Sequence, residues 1–576
     1  MKVSDYIVLF IREQGLKHIF GYIGGMITHL VDSIDKIEGI EYIQTYHEQT
    51  AAIAAEGYSR ETNNFGVAIS TSGPGVTNMM TGIADAYFDS IPTLFISGQV
   101  NTSEYKYDKP IRQQGFQEMD VVSLCKSITK YAVLVDDAKK IRYELEKAIS
   151  IAKEGRGGPV ILDIPMDVQK TEINPDKLES YFKETEPFNN YNIDEVIKQI
   201  ESSQKPIIII GSGYRKGTKN KLETLLEKYK IPIVCSLLGK GKVDEENKLF
   251  LGMIGSYGVR AANIALAKSD LIISIGSRFD TRQTGTNLSV FETKTIIQVD
   301  IDKNELENHR LKNRICINSD SDIFIDKLLK GKINVIENKN WNDYIVYLKN
   351  NYSQGKEIEK FVENKMPYKS IQILNKYSKE NDIFTVDIGQ NQMWSAQTLL
   401  LKKGQSFITS GGLAPMGFSI PSAIGISFAN PRKRVFAIVG DGGFMMSEQS
   451  LFVISQYNLP IIIILLNNKS LGMITQFQQL YFNSNMPGTI EKGGYKSGNF
   501  NKLSDAHGLN YFLVEEKDLD NKEYIENIFS QRNAVVEFKI NGLTSVCPKL
   551  EFNQPIYNPI PYLPEEELRN LLSKIL

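Results

Sequence analysis

The chain has few of the residues that build metal and disulfide frameworks: among 576 residues there are four cysteines and five histidines. Cys125, Cys235, Cys316 and Cys547 lie far apart without a CxxC pair, and no His-x-x-x-His spacing marks a helix face. Neither a zinc site nor a disulfide framework is indicated, and a reducing, cytoplasmic setting is expected. Charge of one sign is also lacking. With 66 basic and 68 acidic residues the net charge is -2, which gives no electrostatic reason for a nucleic-acid or membrane partner. No window approaches the roughly eighteen apolar residues of a membrane span, and no signal-like stretch precedes the first amphipathic segment. No GxGxxG opens a helix after a strand, which argues against a nicotinamide dehydrogenase. Small molecules remain as the expected ligands.

What is present is the composition of an ordinary soluble protein, 42% hydrophobic and 23% charged. At about 150 residues per domain, the length predicts three or four domains. Short apolar runs bounded by Gly or Pro alternate with helix-period stretches: Gly66 to Ser70, Pro92 to Ser97, Pro159 to Asp163, Pro206 to Ile210, Leu271 to Ile275, Arg434 to Val439 and Pro460 to Leu466. Continuous apolar strands are buried on both faces, which means parallel sheets covered by helices. The fold class is therefore α/β, with three doubly wound parallel-sheet domains. Two polar, strand-poor stretches, near Thr171 to Asn190 and Glu337 to Phe361, have the composition of connectors. They divide the chain into domains at 1–175, 190–335 and 362–545, followed by an arm at 546–576. Ser70 to Gly75 and Thr409 to Gly412 are similar strand-to-turn segments, which suggests an internal duplication of the first and third domains.

The sharpest chemical signal lies in the third domain. The strand ending at Val439 runs into Gly440-Asp441-Gly442-Gly443, and the strand ending at Leu466 runs into Asn467-Asn468. Asp441 and Asn468 are 468 − 441 = 27 positions apart and supply hard oxygen ligands suited to Mg²⁺, the glycines letting backbone amides approach phosphates. A lone GDG is commonplace in turns. Joined to Asn-Asn, each after a buried strand, it points to a diphosphate and its counter-ion at a sheet edge.

With these motifs the chain resembles the thiamine-diphosphate-dependent enzymes, and over nearly its whole length the acetolactate synthase large subunits. The likeness is carried in order by the Gly24-Gly25 turn, Tyr46-His47-Glu48-Gln49, Thr71 to Gly75, Phe116-Gln117-Glu118, Gly158 to Pro165, Gly389 to Trp394, Thr409 to Leu413 with Met416-Gly417, and Leu466 to Met473. The resemblance implies pyrimidine-binding, central FAD or nucleotide-type, and diphosphate- and Mg-binding domains. It implies that Glu48 hydrogen-bonds the aminopyrimidine ring nitrogen and favours the tautomer that strips the thiazolium proton. As an isolated residue, Glu48 is also an ordinary acid in a first helical turn. Met416 would wedge the cofactor into its bent form, and the Ala414 carbonyl would accept from the aminopyrimidine amino group. Asp441, Asn468 and the Ser470 carbonyl would hold the metal. Gly24, Gly25, Gln390, Asn391, Gly440, Gly442, Gly443 and Met473 would line the cofactor, with Phe116 and Gln117 facing the reacting carbon.

The run Gly276 to Gly285, containing Arg278, Asp280 and Arg282, is close to the RFDDRVTG run that holds FAD in acetolactate synthases. Gly211, Gly213 and Asp300 stand at neighbouring strand ends, so FAD is expected beside thiamine diphosphate and Mg²⁺. Ordinary tight-turn glycines explain Gly211 and Gly213 as well. Arg282 would meet an acceptor carboxylate. The expected activity is decarboxylation of pyruvate or a related 2-keto acid and transfer of the two-carbon unit to an acceptor carbonyl. A homodimer, or a dimer of dimers, is the implied active unit, and a regulatory subunit is not indicated. Three positions depart from the synthase pattern: Met166 replaces a lysine, Asn391 a histidine, and Phe477 the tryptophan that favours 2-ketobutyrate as acceptor. The arm, Pro548 to Pro564, is similar instead to relatives that use a keto-sugar nucleotide as acceptor, or is a solvated tail. A simple 2-keto acid or oxalyl-CoA decarboxylase is the other alternative.

Overall fold

The computed structural model describes residues 1–576 except 184–190, 215–218, 332, 334–337 and 574–576. Runs without a polar face become strands covered on both sides. Every residue of Pro206–Ile210 and of Ile461–Asn467 is buried. Three six-stranded sheets result. The first contains β1 (His18–Tyr22), β2 (Glu41–Gln44), β3 (Gly66–Ser70), β4 (Thr93–Gln99), β5 (Tyr131–Leu134) and β6 (Pro159–Pro165). The second contains β7 (Pro206–Ile210), β8 (Ile233–Cys235), β9 (Phe250–Met253), β10 (Leu271–Ile275), β11 (Thr295–Asp300) and β12 (Arg314–Asn318). The third contains β13 (Ile383–Val386), β14 (Ser406–Thr409), β15 (Val435–Gly440), β16 (Ile461–Asn467), β17 (Tyr511–Val514) and β18 (Ala534–Lys539). The pairing is parallel throughout.

The strand orders are β2-β1-β3-β4-β6-β5, β12-β11-β10-β7-β8-β9 and β14-β13-β15-β16-β18-β17. Counted within each unit, the first and third sheets share the order 2-1-3-4-6-5, which supports the duplication suggested by their turns. The middle sheet, read from its other edge, has the 3-2-1-4-5-6 order found in dinucleotide-binding folds. In such sheets, ligands lie outside the carboxyl ends of the strands where the order reverses, here between β1 and β3, β7 and β10, and β13 and β15.

Of the flanking helices, six position the site: α1 (Glu48–Thr62), α2 (Pro74–Asp89), α3 (Gln390–Thr398), α4 (Ser419–Ala429), α5 (Asp441–Met446) and α6 (Gly472–Tyr481). Helices α1 and α4 join the first unit to the third at backbone contact. A Cβ on Gly57 would lie 2.3 Å from the Ser422 carbonyl oxygen, and one on Gly425 1.8 Å from that of Ala54. The two units share one apolar core across this contact, in which Ala51, Ala54 and Tyr58 join Ile420, Ala423 and Ile424.

The strand-poor stretch before the third unit is helical over Lys339–Asn351 and Gln354–Phe361, and Trp341, Tyr344, Ile345 and Leu348 pack into the core of the middle unit. The arm is docked rather than solvated. Arg260, fully buried, pairs with Glu357 at 2.8 Å and donates to the carbonyls of Pro559 and Pro561 at 3.2 and 2.7 Å. Ile556, Leu563 and Leu571 fill the same core as the middle unit.

Candidate active site

At the β13/β15 reversal, the loop after β15 starts helix α5 with Asp441, which is 2% exposed. Its Oδ1 accepts from the Gly442 amide at 3.0 Å, and buried Oδ2 lies by the Tyr495 hydroxyl without a hydrogen bond of full geometry. Burial pushes the carboxyl up to about 6, opposed by hydrogen bonds from the Gly442 amide, the Tyr495 hydroxyl and the Ser470 amide. A buried carboxylate so placed costs free energy unless a cation meets it. Asn468 donates to Gln390 Oε1 and Thr544 Oγ1 at 3.2 and 2.9 Å. Asn391 donates to the Asp387 carbonyl at 2.7 Å and sits against Gly389 and Gly440. Met416 lies over Gly442, where an added Cβ would be 2.9 Å from the methionine methyl. The structure thus gathers Gln390, Asn391, Met416, Gly440, Asp441, Gly442, Gly443, Asn468 and Ser470 at one sheet edge.

Asp387, which carries no motif, holds this half together. Its carboxylate accepts from the amides of Ile388, Gly417 and Ser419 at 2.9, 3.0 and 2.9 Å, fixing the turn that presents Met416. Gly443 must be glycine beside it, since a Cβ would lie 2.6 Å from Asp387 Oδ1. Ala414 has φ 59°, a left-handed conformation uncommon for a residue with a Cβ. Such outliers concentrate where backbone geometry serves a ligand. Its amide donates to Ser410 Oγ at 3.0 Å, Ser410 donates to Asp85 at 2.5 Å, and Asp89 accepts from the Gly411 and Gly412 amides. Helix α2 of the first unit therefore holds the turn of the third. Only the position of Asp387 at a strand end signals its part in the sequence.

The first unit presents a second cluster at the β1/β3 reversal. Glu48 opens α1 and is 7% exposed; its Oε2 accepts from Asn78 Nδ2 at 2.9 Å, and its Oε1 faces Gly75. His47, not Glu48, caps the helix, its Nδ1 accepting from the Gln49 amide at 3.1 Å. Gly24 packs on Thr71, leaving no room for a Cβ, whereas Gly25 faces open space. Gln117, at φ 62°, lies against Gly73, and Phe116 stands out from the surface at 80% exposure.

Between the middle and third units, α6 carries Met473, Phe477 and Tyr481 at i, i+4 and i+8 on one face. Tyr257 donates to Met473 Sδ at 3.2 Å, and the Arg282 guanidinium lies 5.7 Å from the Tyr257 ring. Phe477 packs with Tyr481, Phe482 and Phe552, so the arm closes over this stripe. In the middle unit, Gly211 and Gly213 are fitted to Gly276, and their amides already donate to the carbonyls of Ile275 and Gly276. Asp280 accepts from the Arg282 and Gln283 amides, and Arg278 lies 3.8 Å from Asp280 and from Glu305. Burial pushes Asp300 up to about 6.

Comparison with known proteins agrees with this division of the site. Residues 1–124 match the thiamine pyrophosphate enzyme N-terminal TPP binding domain, 193–328 the central domain and 387–538 the C-terminal TPP binding domain. The chain belongs to the thiamine pyrophosphate enzyme family. Among relatives in that family, the acetolactate synthase large subunit of Lactococcus lactis is 37% identical over 518 residues, covering 89% of this chain and 88% of that protein. A probable acetolactate synthase large subunit of Methanocaldococcus jannaschii is 35% identical, with 94% and 92% covered. The acetolactate synthase isozyme 2 large subunit of Escherichia coli is 34% identical, with 95% and 97% covered.

As a thiamine pyrophosphate enzyme, the chain binds thiamine diphosphate through its N- and C-terminal units. Asp441, Asn468 and the Gly440 to Gly443 turn fall inside the matched C-terminal domain, and Glu48, Gly24, Gly25, Phe116 and Gln117 inside the N-terminal one. The residues fit the group: the glycines leave space where side chains would clash, and the buried carboxylate of Asp441 suits a cation. Among the described residues, no cluster of three His, Cys, Asp or Glu side chains offers another metal centre, and no helix is long and apolar enough to cross a membrane.

Proposed function

We propose that this enzyme is a carboligase that decarboxylates pyruvate, or a related 2-keto acid, and passes the two-carbon unit to an acceptor carbonyl, with Mg²⁺ as the counter-ion of the diphosphate. The observation that carries this reading is the chain of contacts from Arg282 to the Tyr257 ring and from the Tyr257 hydroxyl to Met473, on the helix that follows the Asn468 loop. A simple decarboxylase has no second substrate and no need for a cation there. The names of the large-subunit relatives favour the same activity.

Bound thiamine diphosphate supplies a thiazolium carbon that adds to a keto group and accepts the charge left when carbon dioxide departs. Glu48, held by the Asn78 amide, would hold a proton against the aminopyrimidine ring nitrogen. The Ala414 carbonyl would accept from the amino group of that ring, and Met416 with Met473 would bound the cofactor. Asp441, Asn468 and the Ser470 carbonyl would hold the metal, while Gln390, Asn391, Gly440, Gly442 and Gly443 would line the diphosphate. Arg282 takes an acceptor carboxylate with its planar fork. Phe116 and Gln117 face the reacting carbon and exclude water.

In the single chain, Glu48 and Asp441 belong to separate clusters. Exposed apolar side chains run along both units: Phe88 packs against Gly412 beside Leu413, Phe452 packs against Tyr46, two residues before Glu48, and Ile23, Phe116 and Met446 are exposed as well. Patches of this kind mark interaction surfaces, and they favour a homodimer in which one copy's first unit meets the other's third. FAD in the middle unit is favoured by its strand order and by Arg278, Asp280 and Asp300 at the β7/β10 crevice. The free cysteines suit a reducing, cytoplasmic setting.

Incubation of the purified protein with pyruvate, thiamine diphosphate, Mg²⁺ and FAD tests this function, with carbon dioxide and acetolactate followed together. Formation of both is expected. A keto-sugar nucleotide as acceptor, favoured by the arm over Phe477, predicts slow decarboxylation that the nucleotide accelerates. No decarboxylation of pyruvate with either acceptor would contradict the proposed donor.

A further inference from the structure

Where α1 and α2 meet the turn from Ser410 to Ala414, the contact buries more acid than base. Glu56 and Asp85 are fully buried, as is the Asp89 carboxyl, and one guanidinium, that of Arg60, stands among them. Arg60 is shared between two of the three acids. It donates twice to Glu56 Oε1, at 2.9 and 2.5 Å, and once to Asp89 Oδ2 at 2.6 Å. Asp89 also takes the Gly411 and Gly412 amides, at 3.2 and 2.7 Å. Asp85 accepts the Ser410 hydroxyl at Oδ1, at 2.5 Å, and forms no ion pair among the described residues. Asp85 Oδ2 and Glu56 Oε2 meet no donor among the described residues, yet the two carboxyls lie within hydrogen-bond reach of each other.

Two carboxyls in contact away from water do not both ionise, so this pair keeps one proton. Burial, and then the neighbouring Glu56, holds Asp85 well above the ordinary carboxylate range; Asp89 on α2 acts in the same direction and Arg60 on α1 against it. A protonated Asp85 has a donor for Glu56 and keeps an acceptor for Ser410. Ser410 spends its one hydroxyl hydrogen on Asp85, which turns its lone pairs to the Ala414 amide, 3.0 Å away. The entry to the turn is fixed separately, since Gln392 Nε2 donates to Thr409 Oγ1 and the Ser410 carbonyl at 2.7 and 2.8 Å. Its exit, where Ala414 sits at φ 59°, hangs on the Ser410 hydroxyl.

We infer that Asp85 is a positioning residue for the cofactor: it holds one proton jointly with Glu56, and the hydrogen bond it accepts from Ser410 fixes the left-handed turn whose Ala414 carbonyl takes the aminopyrimidine amino group. The inference rests on the reading that this carbonyl meets that amino group. Asp85 acts through Ser410 and Ala414, so its loss slows departure of the thiazolium proton even when the cofactor is fully bound.

The test joins infrared difference spectroscopy of the full-length, cofactor-free protein to deuterium exchange at the thiazolium carbon in protein saturated with thiamine diphosphate and Mg²⁺. At about pH 8.5, above the values of about 6 and about 7 for the buried Asp387 and Asp163, the parent should show the carbonyl band of a protonated carboxyl that Asp85→Asn removes. Asparagine keeps both the donor and the acceptor, so exchange in Asp85→Asn should stay within about twofold of the parent, whereas Asp85→Leu and Ser410→Ala should slow it about tenfold or more. A packing role alone would lower the melting temperature of Asp85→Leu without slowing exchange at saturation. Should Asp85→Leu fail to fold, Ser410→Ala decides the matter. A difference spectrum without the band, exchange in Asp85→Asn slowed about tenfold, or parent-like exchange in Ser410→Ala overturns the inference. Glu48→Gln separates the two levels of the argument: if it slows exchange and Ser410→Ala does not, the role of Asp85 falls and the cofactor reading stands, and if neither slows it, both fall.

Discussion

Asp441 shows how a functional residue opposes stability. Its carboxyl is pushed up to about 6 in the folded chain against 3.8 for an ordinary aspartate, so well below 3.8 it is neutral in both states and carries no charge penalty. As pH rises from 3.8 to about 6 the unfolded chain ionises before the folded one, and the penalty grows to its full size, on the order of 2–3 kcal/mol, which metal binding would relieve. Asp441→Asn keeps an acceptor for the Gly442 amide and removes that charge. The metal-free variant should therefore gain stability relative to the parent between pH 3 and pH 7.5, while Mg²⁺-dependent cofactor binding is lost. Thermal unfolding at the two pH values measures this, and the same difference at both would contradict it. Glu48→Gln tests the other half of the site. Thiamine diphosphate should bind within about threefold of the parent, with proton exchange at its thiazolium carbon slowed on the order of a hundredfold. Unchanged exchange would remove Glu48 from its assigned role. Asp441 and Asn468 stood out in the sequence because each sits in a compact motif at the end of an apolar strand, whereas Glu48 follows a short edge strand and was marked only by the likeness of Tyr46 to Gln49 to the family's motif. Asp387 was not marked by any motif, because its partners Gly417 and Ser419 are tens of residues away.

Where an element is buried on both faces, local chemistry defines it: Pro460 to Leu466 became β16 over Ile461–Asn467, and Gly66 to Ser70 became β3 unchanged. Short edge strands such as β2 and β5 are half-covered, lack a continuous apolar run and escape that pattern. The docking of the arm was equally hidden, since it depends on Arg260, some 300 positions away in the chain, reaching Pro559 and Pro561. Helix contact makes a sharper prediction. Gly425→Ala forces α1 and α4 apart, because its Cβ would meet the Ala54 carbonyl at 1.8 Å. A loss of about 1–3 kcal/mol is expected, as for other overpacked interiors. Gly355→Ala, in a helix with nothing within 4 Å of the added carbon, should be neutral or stabilising by about 0.4–1 kcal/mol. Denaturant unfolding of the pair separates a steric effect at the α1/α4 contact from a general effect of removing glycine.

At the scale of the whole molecule, two sheets with the same strand order each bring their reversal point to the surface, one with Glu48 and one with Asp441. On the proposed reading each cluster is half of a site, completed by a second copy that would also cover the exposed apolar side chains nearby. Mixing two defective homodimers tests that sharing most directly. Glu48→Gln and Asp441→Asn proteins, each inactive alone, are dissociated, combined in equal amounts and reassociated, and acetolactate formation is measured. If each site takes Glu48 from one copy and Asp441 from the other, half of the dimers are hybrids with one intact site, and activity returns to about a quarter of the parent value. If both residues serve the same chain's site, every site keeps one defect, and the mixture stays as inactive as its components.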